Sequence, residues 1–118
     1  MAFSSCHKYA QISSRKVRPL ANMVRGKFAD EALDILRYQP SRGARLLEGV
    51  LKAAIGNAQD PEQNKGRSLN VEELVVLEAH IDGGPVMKRI RPMSRGQAFG
   101  ILKRTAHITV TLVELEEV

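Results

Sequence analysis

The segment from Gly83 to Arg104 constrains this chain more than any other. Before it, Val75, Leu77, Ala79 and Ile81 alternate with Val76, Glu78, His80 and Asp82. After it, Ala106, Ile108, Val110 and Leu112 alternate with Thr105, His107, Thr109 and Thr111. Both runs have the two-residue period of half-buried antiparallel strands. If they pair, the residues between them must leave the sheet and return to it. The apolar members of that segment (Val86, Met87, Ile90, Met93, Phe99, Ile101 and Leu102) are too few and too interrupted to build a core, and every charge in it is positive. Pro92 to Gly96 supplies turn residues midway, as a hairpin tip requires. The segment is therefore expected to be an arm at about residues 83–104. About ten residues per side at roughly 3.3 Å each would reach on the order of 30 Å. With no core of its own, such an arm is expected to be mobile alone and ordered on a partner.

Charge elsewhere is segregated in the same way. Residues 1–29 carry Lys8, Arg15, Lys16, Arg18, Arg25 and Lys27 with no acid, and residues 83–113 carry Lys88, Arg89, Arg91, Arg95, Lys103 and Arg104 with no acid. The middle, 30–82, holds six bases against ten acids, and Glu114, Glu116 and Glu117 close a chain of net charge +5. Like charges gathered into blocks repel and weaken the compact state. A polyanion removes that cost, and nucleic acid is the leading candidate, because neutralised phosphates release counterions and supply sequence-independent affinity. The two basic blocks are the expected phosphate contacts, with little base reading. His107, beside Lys103 and Arg104, is expected to face a phosphate or the sheet surface. Arginine grips phosphate with two parallel bonds, so Arg89 and Arg104 should weigh more than Lys88 and Lys103.

The first half of the chain reads as helical. Ser13 and Ser14 offer an N-cap, Val17, Leu20, Ala21 and Val24 repeat at the helical period, and Gly26 stands where a left-handed residue ends a helix. Pro19 inside this run predicts a kink or a late start. Asp30 is expected to cap a second helix carrying Ala32, Ile35 and Leu36. Its Glu31 and Arg37 sit where the helix dipole favours them. Pro40-Ser41 breaks the chain. A third and longest helix then presents Ala44, Leu47, Leu51, Ala54, Ile55 and Ala58 on one stripe. Gly43, Gly49 and Gly56 within it mark either close backbone approach or an exposed face. Residues 60–67 read as a surface loop.

The fold class that follows is α+β: three helices packed on a small three-stranded antiparallel sheet, with a long protruding basic β-hairpin. Helices are expected near 14–25, 30–38 and 42–59, and strands near 5–12, 70–84 and 104–113. The expected core is Val17, Leu20, Val24, Leu33, Ile35, Leu36, Leu47, Val50, Leu51, Ile55, Val75, Leu77, Ile81, Ile108, Val110 and Leu112. With 118 residues, 43% of them hydrophobic, the chain makes one domain, and with 4% aromatics and no Trp its core must be aliphatic.

Several function classes lack their parts. No apolar run approaches the roughly 20 residues of a membrane span. The N-terminus does not have the charged-then-apolar layout of a signal peptide, and the single Cys6 cannot form an internal disulfide, so a reducing, cytoplasmic setting is expected. Cys6, His7, His80 and His107 show no zinc-ligand spacing, so no metal and no cofactor is expected. Cys6 has no visible base or orienting group, and neither a Walker loop nor a dinucleotide fingerprint is present, so no catalytic residue is assigned.

Four colinear segments carry a family resemblance. They are Lys16-Val17-Arg18 with Val24-Arg25-Gly26-Lys27, Ala32-Leu33-Asp34-Ile35-Leu36, Ala53-Ala54-Ile55-Gly56-Asn57-Ala58, and the arm with its return strand. The last comprises Gly84-Pro85-Val86-Met87-Lys88-Arg89-Ile90-Arg91-Pro92, Gly96, and Ile101-Leu102-Lys103-Arg104-Thr105-Ala106-His107-Ile108-Thr109-Val110. In order and spacing, over roughly residues 8–113, the chain resembles the bacterial large-subunit ribosomal protein twenty-two family. The resemblance implies a non-catalytic protein that binds large-subunit ribosomal RNA and helps it fold during assembly. It implies neighbouring ribosomal proteins as partners, and a tip (Arg91, Pro92, Met93, Ser94, Arg95, Gly96) that lines the nascent-peptide exit tunnel and meets the nascent polypeptide. Neither a membrane nor a homo-oligomer is expected, and the lack of a transit peptide points to a bacterial rather than organellar ribosome. The chain departs from the family at the tip, where Met93 and Gln97 replace common arginines and Arg91 a common apolar residue. Gly83 replaces a frequent acid. The alternative is a DNA-binding architectural protein whose arm grips a groove with Pro92 as a wedge.

Overall fold

The computed structural model describes residues 2–63, 66 and 71–115. Three helices and a small antiparallel sheet make the protein α+β. In chain order these are β1 (Ala2–Ala10), α1 (Ser14–Val24), α2 (Ala29–Arg37), α3 (Arg42–Gln59), a 3-10 turn at Val71–Glu73, β2 (Leu74–Gly83), β3 (Met87–Pro92), β4 (Ala98–Lys103) and β5 (Ala106–Glu114). The last strand lies in the middle of the three-stranded sheet, whose order is β1-β5-β2. Register runs from Ala2 opposite Val113 to Ala10 opposite Ala106 on one side of β5, and from Leu74 opposite Glu114 to Gly83 opposite Ala106 on the other. β3 and β4 form a separate two-stranded ladder, Met87 opposite Lys103 through Pro92 opposite Ala98. The whole measures 65 × 28 × 18 Å.

The three helices close one side of the sheet. Val17, Leu20, Ala21 and Val24 of α1, Ala29, Ala32 and Leu36 of α2, and Ala44, Leu47, Val50, Leu51, Ala54 and Ala58 of α3 are buried against Leu74, Val76, Ala79, Ile108, Val110 and Leu112. Phe3 is the one aromatic side chain in the described core, which is otherwise aliphatic. Leu33, Ile35 and Ile55 pack on its margin and are only partly buried.

β5 keeps the expected alternation from Ala106 to Leu112, but β2 does not. The register slips between Val76 and Glu78, a β-bulge that inserts Leu77 without a partner. Side chains therefore point inward at Leu74 and Val76 and, after the bulge, at Ala79 and Ile81. Leu77 is 45% exposed and is not a core residue. The expected single face of Val75, Leu77, Ala79 and Ile81 is thus broken in phase.

Helix ends correct the sequence reading in two places. α2 starts at Ala29 with Phe28 as its N-cap, not Asp30, because Phe28 is held in extended backbone by an antiparallel bridge to Val75. Asp30 and Glu31 sit in the first turn, where the helix dipole favours acids. Pro19 lies inside α1, which runs unbroken from Ser14, and Ser13 occupies the N-cap without a side-chain bond. Ser41 does cap α3, its Oγ accepting from Ala44 N at 3.3 Å. Gly26 takes φ +84° just beyond α1.

Of the three glycines in α3, Gly43 marks close approach. A Cβ there would meet Leu20 and Val17 of α1 at 3.3 Å, whereas Gly49 and Gly56 face open space. Arg45 ties α3 to the end of α2. Its Nη2 donates to the carbonyls of Leu36 (2.7 Å) and Arg37 (3.0 Å) in the last turn of α2 and of Gln39 just beyond it. Its Nη1 meets Glu48 Oε2 at 2.7 Å, and Lys52 Nζ meets Glu48 Oε1 at 3.2 Å, so the buried carboxylate is paired on both oxygens. Of the expected 60–67 loop, residues 64, 65 and 67 lie outside the described residues, as does residue 70 of the expected second strand.

Candidate nucleic-acid interface

The β3–β4 ladder grows from the sheet at one narrow junction. The β2–β5 pairing ends at Gly83 opposite Ala106 and the β3–β4 pairing begins at Met87 opposite Lys103, so residues 84–86 face only 104 and 105. Gly84 N donates to Thr105 O at 2.9 Å, and the buried Thr105 hydroxyl donates to Pro85 O at 2.7 Å. A side chain at position 84 would collide with Thr105 Oγ1, which is why a glycine stands there. Beyond the junction every residue of the ladder is exposed except Met87 and Ile101, which are intermediate.

At the far end Met93 N donates to Gln97 O at 2.7 Å and closes the turn. Arg95 (φ +64°) and Gly96 (φ +71°) both take left-handed backbone. For Gly96 this is free, whereas for Arg95 it costs roughly 1 kcal/mol. Pro92 belongs to β3, opposite Ala98, at the last rung before the turn. Arg91, Pro92, Met93, Ser94, Arg95 and Gly96 are all exposed there.

At the near end a cleft of about 670 Å³ opens between the root of this ladder and the start of the helical layer. Arg89, Lys103 and Arg104 line it from the ladder side, and Arg15, Lys16 and Arg42 from the starts of α1 and α3. Met87, Leu102, Gln11, Ile12 and Ser13 complete the wall, and no acid lines it. Four separate stretches of chain thus bring six cations to one cavity. Five of them belong to the basic blocks seen in the sequence. Arg42 does not: it lies in the acid-rich middle, and its Nη1 donates to Gln11 O at 2.9 Å, fixing the loop between β1 and α1 against α3. Its position one residue after the Ser41 cap was the available signal, because a first-turn side chain projects at the helix entrance.

The remaining candidates are placed differently. Arg18 donates from Nε and Nη2 to Ile81 O at 3.3 and 3.2 Å, and Arg25 donates from Nη2 to Ala79 O and from Nη1 to Asn22 Oδ1 at 2.8 Å. One from within α1 and the other from its C-cap, these arginines cover the outer edge of β2. The chain at 26–28 does the same further along, with Gly26 N donating to Val76 O and Val76 N to Lys27 O, both at 2.9 Å. The Lys27 side chain is exposed. His107 accepts from Tyr9 N at Nδ1 (3.1 Å) and stacks edge-on against the Tyr9 ring at 4.9 Å, so it fastens the bulge in β1 where Tyr9 has φ +60°. Lys8 is exposed on that same edge strand, away from the residues lining the cleft. Lys88 and Arg91 are exposed along β3, and Arg89 also donates to its neighbour Lys88 O at 3.0 Å. Cys6, exposed on β1, accepts from Thr109 Oγ1 at 3.3 Å. Among the described residues no three His, Cys, Asp or Glu side chains converge on a metal-sized site, and no helix is long and apolar enough to cross a membrane.

A deep, acid-free cleft of this kind suits a chain of phosphates rather than a small organic substrate. Residues 5–113 match the sequence model of the family described as "Ribosomal protein L22p/L17e". Among curated relatives, the "Large ribosomal subunit protein uL22" of Rhodopirellula baltica is 60% identical over 116 residues, covering 98% of this chain and 98% of the relative. The protein of the same name from Caldicellulosiruptor saccharolyticus is 49% identical over 92% of this chain and 85% of its own length. That from Finegoldia magna is 49% identical over 92% and 93%.

Proposed function

The chain belongs to the ribosomal protein L22p/L17e family, and from that premise we propose that it binds large-subunit ribosomal RNA and supports the folding of that RNA during assembly. It is a structural, non-enzymatic constituent of the large ribosomal subunit, within the ribosome in the cytoplasm. The β3–β4 ladder acts as the protruding basic arm that enters the RNA, and its tip, Arg91 to Gly96, stands at the wall of the nascent-peptide exit tunnel. Neighbouring ribosomal proteins flank the globular part, the nascent polypeptide passes the tip, and the chain works as a single copy.

The observation that carries RNA binding is the cleft of six cations and no acid at the root of the arm. An RNA backbone lying there is gripped on one side by Arg89, Lys103 and Arg104 and on the other by Arg15, Lys16 and Arg42. Each neutralised phosphate releases counterions, which gives affinity without sequence preference and makes it steeply salt-dependent. Arg89 and Arg104 add geometry, since a guanidinium presents a fork that fits two phosphate oxygens. No observation favours the groove-gripping DNA reading.

The test is binding of the full chain to protein-free large-subunit RNA across a series of salt concentrations. Neutralising Arg15, Lys16, Arg89, Lys103 and Arg104 one at a time is expected to lower the salt slope by somewhat under one unit each. Unchanged slopes across the set would remove the cleft from the interface.

A further inference from the structure

The register of β3 and β4 sorts the arm into two unlike faces. In an antiparallel ribbon directly opposed residues project to the same side, and successive pairs alternate. Met87 with Lys103, Arg89 with Ile101, and Arg91 with Phe99 share one face, while Lys88 with Leu102, Ile90 with Gly100, and Pro92 with Ala98 share the other. Three of the four cations on the paired strands therefore stand on the face that carries Phe99. That ring is 54% exposed, has no core beneath it, and lies directly across the ladder from Arg91.

An exposed aromatic residue paired in register with an arginine, on a ladder face that carries no acid, has a specific chemical complement. A nucleotide with an unstacked base offers a flat π-face for the ring and an anionic phosphate for the arginine. A paired base inside a duplex offers neither of its faces. An apolar peptide would satisfy Phe99 and leave Arg89, Arg91 and Lys103 desolvated without counter-charge. Aromatic rings and arginine planes are the surfaces on which unpaired RNA bases stack, and this stacking tolerates any base because every base has a π-face.

We propose that the Arg91–Phe99 pair is a stacking site for one unpaired nucleobase of the bound RNA, with Arg89 and Lys103 on the same face holding the adjoining phosphates. This rests on the RNA-binding reading above and adds to it a contact that is not electrostatic. The arm would then distinguish looped from duplex RNA.

The experiment compares the full chain with F99A, F99L and F99Y for binding to a single-stranded RNA and to the perfectly paired RNA duplex of the same length, across salt concentrations. Loss of one stacked base predicts affinity for the single strand reduced about 5- to 140-fold in F99A, with an unchanged salt slope. F99L, which keeps apolar bulk but no π-face, should fall nearly as far, and F99Y should bind like the parent. Duplex affinity should be the same for all four. F99L binding the single strand like the parent, or F99A weakening duplex and single strand equally, would overturn the stacking site while leaving the phosphate cleft standing. A parent chain that binds neither RNA would overturn both.

Discussion

Thr105 closes the root of the arm on Pro85: its buried hydroxyl donates to the Pro85 carbonyl at 2.7 Å, across the place where one ladder stops and the next begins. With the hydrogen bond donated by Gly84 N to Thr105 O beside it, this is the clasp that joins the β3–β4 ladder to the sheet where ladder pairing is interrupted. Removing the hydroxyl with Thr105→Val should cost about 1 kcal/mol, and Thr105→Ser should restore most of it. Gly84→Ala puts a methyl group against Thr105 Oγ1 and should be worse than either. Thermal unfolding ranks the three, and amide exchange at Gly84 locates the effect.

The arginines of the first basic block should separate by assay. Arg18→Ala and Arg25→Ala lose bonds to the Ile81 and Ala79 carbonyls, so each should lower stability by about 1–2 kcal/mol. Both should lower the RNA salt slope less than Arg15→Ala does. Denaturant titration and salt-dependent RNA binding on the same variants give the two readouts. Equal stability with a full loss of slope at Arg18 would return it to the phosphate set.

Leu74 and Leu77 should behave opposite to the sequence pattern, which placed Leu77 in the core and left Leu74 out. Leu74→Ala empties a fully buried site and should cost about 2–5 kcal/mol. Leu77→Ala removes a half-exposed side chain from the bulge and should stay within about 0.5 kcal/mol of the parent. Chemical denaturation midpoints decide it.

Shortening the tip should spare the fold. Deleting Met93, Ser94 and Arg95 takes away exposed residues and one left-handed arginine, and should leave unfolding of the globular part and RNA affinity largely intact. Subunits assembled with the shortened chain should instead differ in passage of pausing-prone nascent peptides, or in response to small molecules that lodge in the tunnel. Normal behaviour in both assays would argue against a tunnel-wall tip.

These contrasts follow from what the sequence could and could not carry. β5 was legible residue by residue, because Ala106, Ile108, Val110 and Leu112 alternate with polar neighbours. α3 was legible because its stripe is long and Pro40-Ser41 breaks the chain before it. β2 was not, since Val75, Val76 and Leu77 are all apolar and either phase satisfies the pattern. Only pairing with β5 reveals the inserted residue. The start of α2 depended on a bridge from Phe28 to Val75, a contact between segments far apart in the chain that no local signal encodes. For Arg18 and Arg25 the carbonyl bonds were not legible for a similar reason: a positive charge reads the same in sequence whether it awaits a phosphate or already holds a carbonyl. The cleft was half legible, with five of its six cations in the basic blocks and Arg42 hidden among acids.

The β1-β5-β2 order has a kinetic meaning. The strand that both edges need is synthesised after both of them, and Ala2 finds its partner only when Val113 exists. Until then β1 and β2 have no neighbour to pair with, and the helices have no finished surface to cover. The sheet therefore zips late and all at once, through contacts between the two ends of the chain. Such non-local closure is slow compared with helix formation. A newly made copy therefore passes through an interval in which its aliphatic stripes are open to the cell.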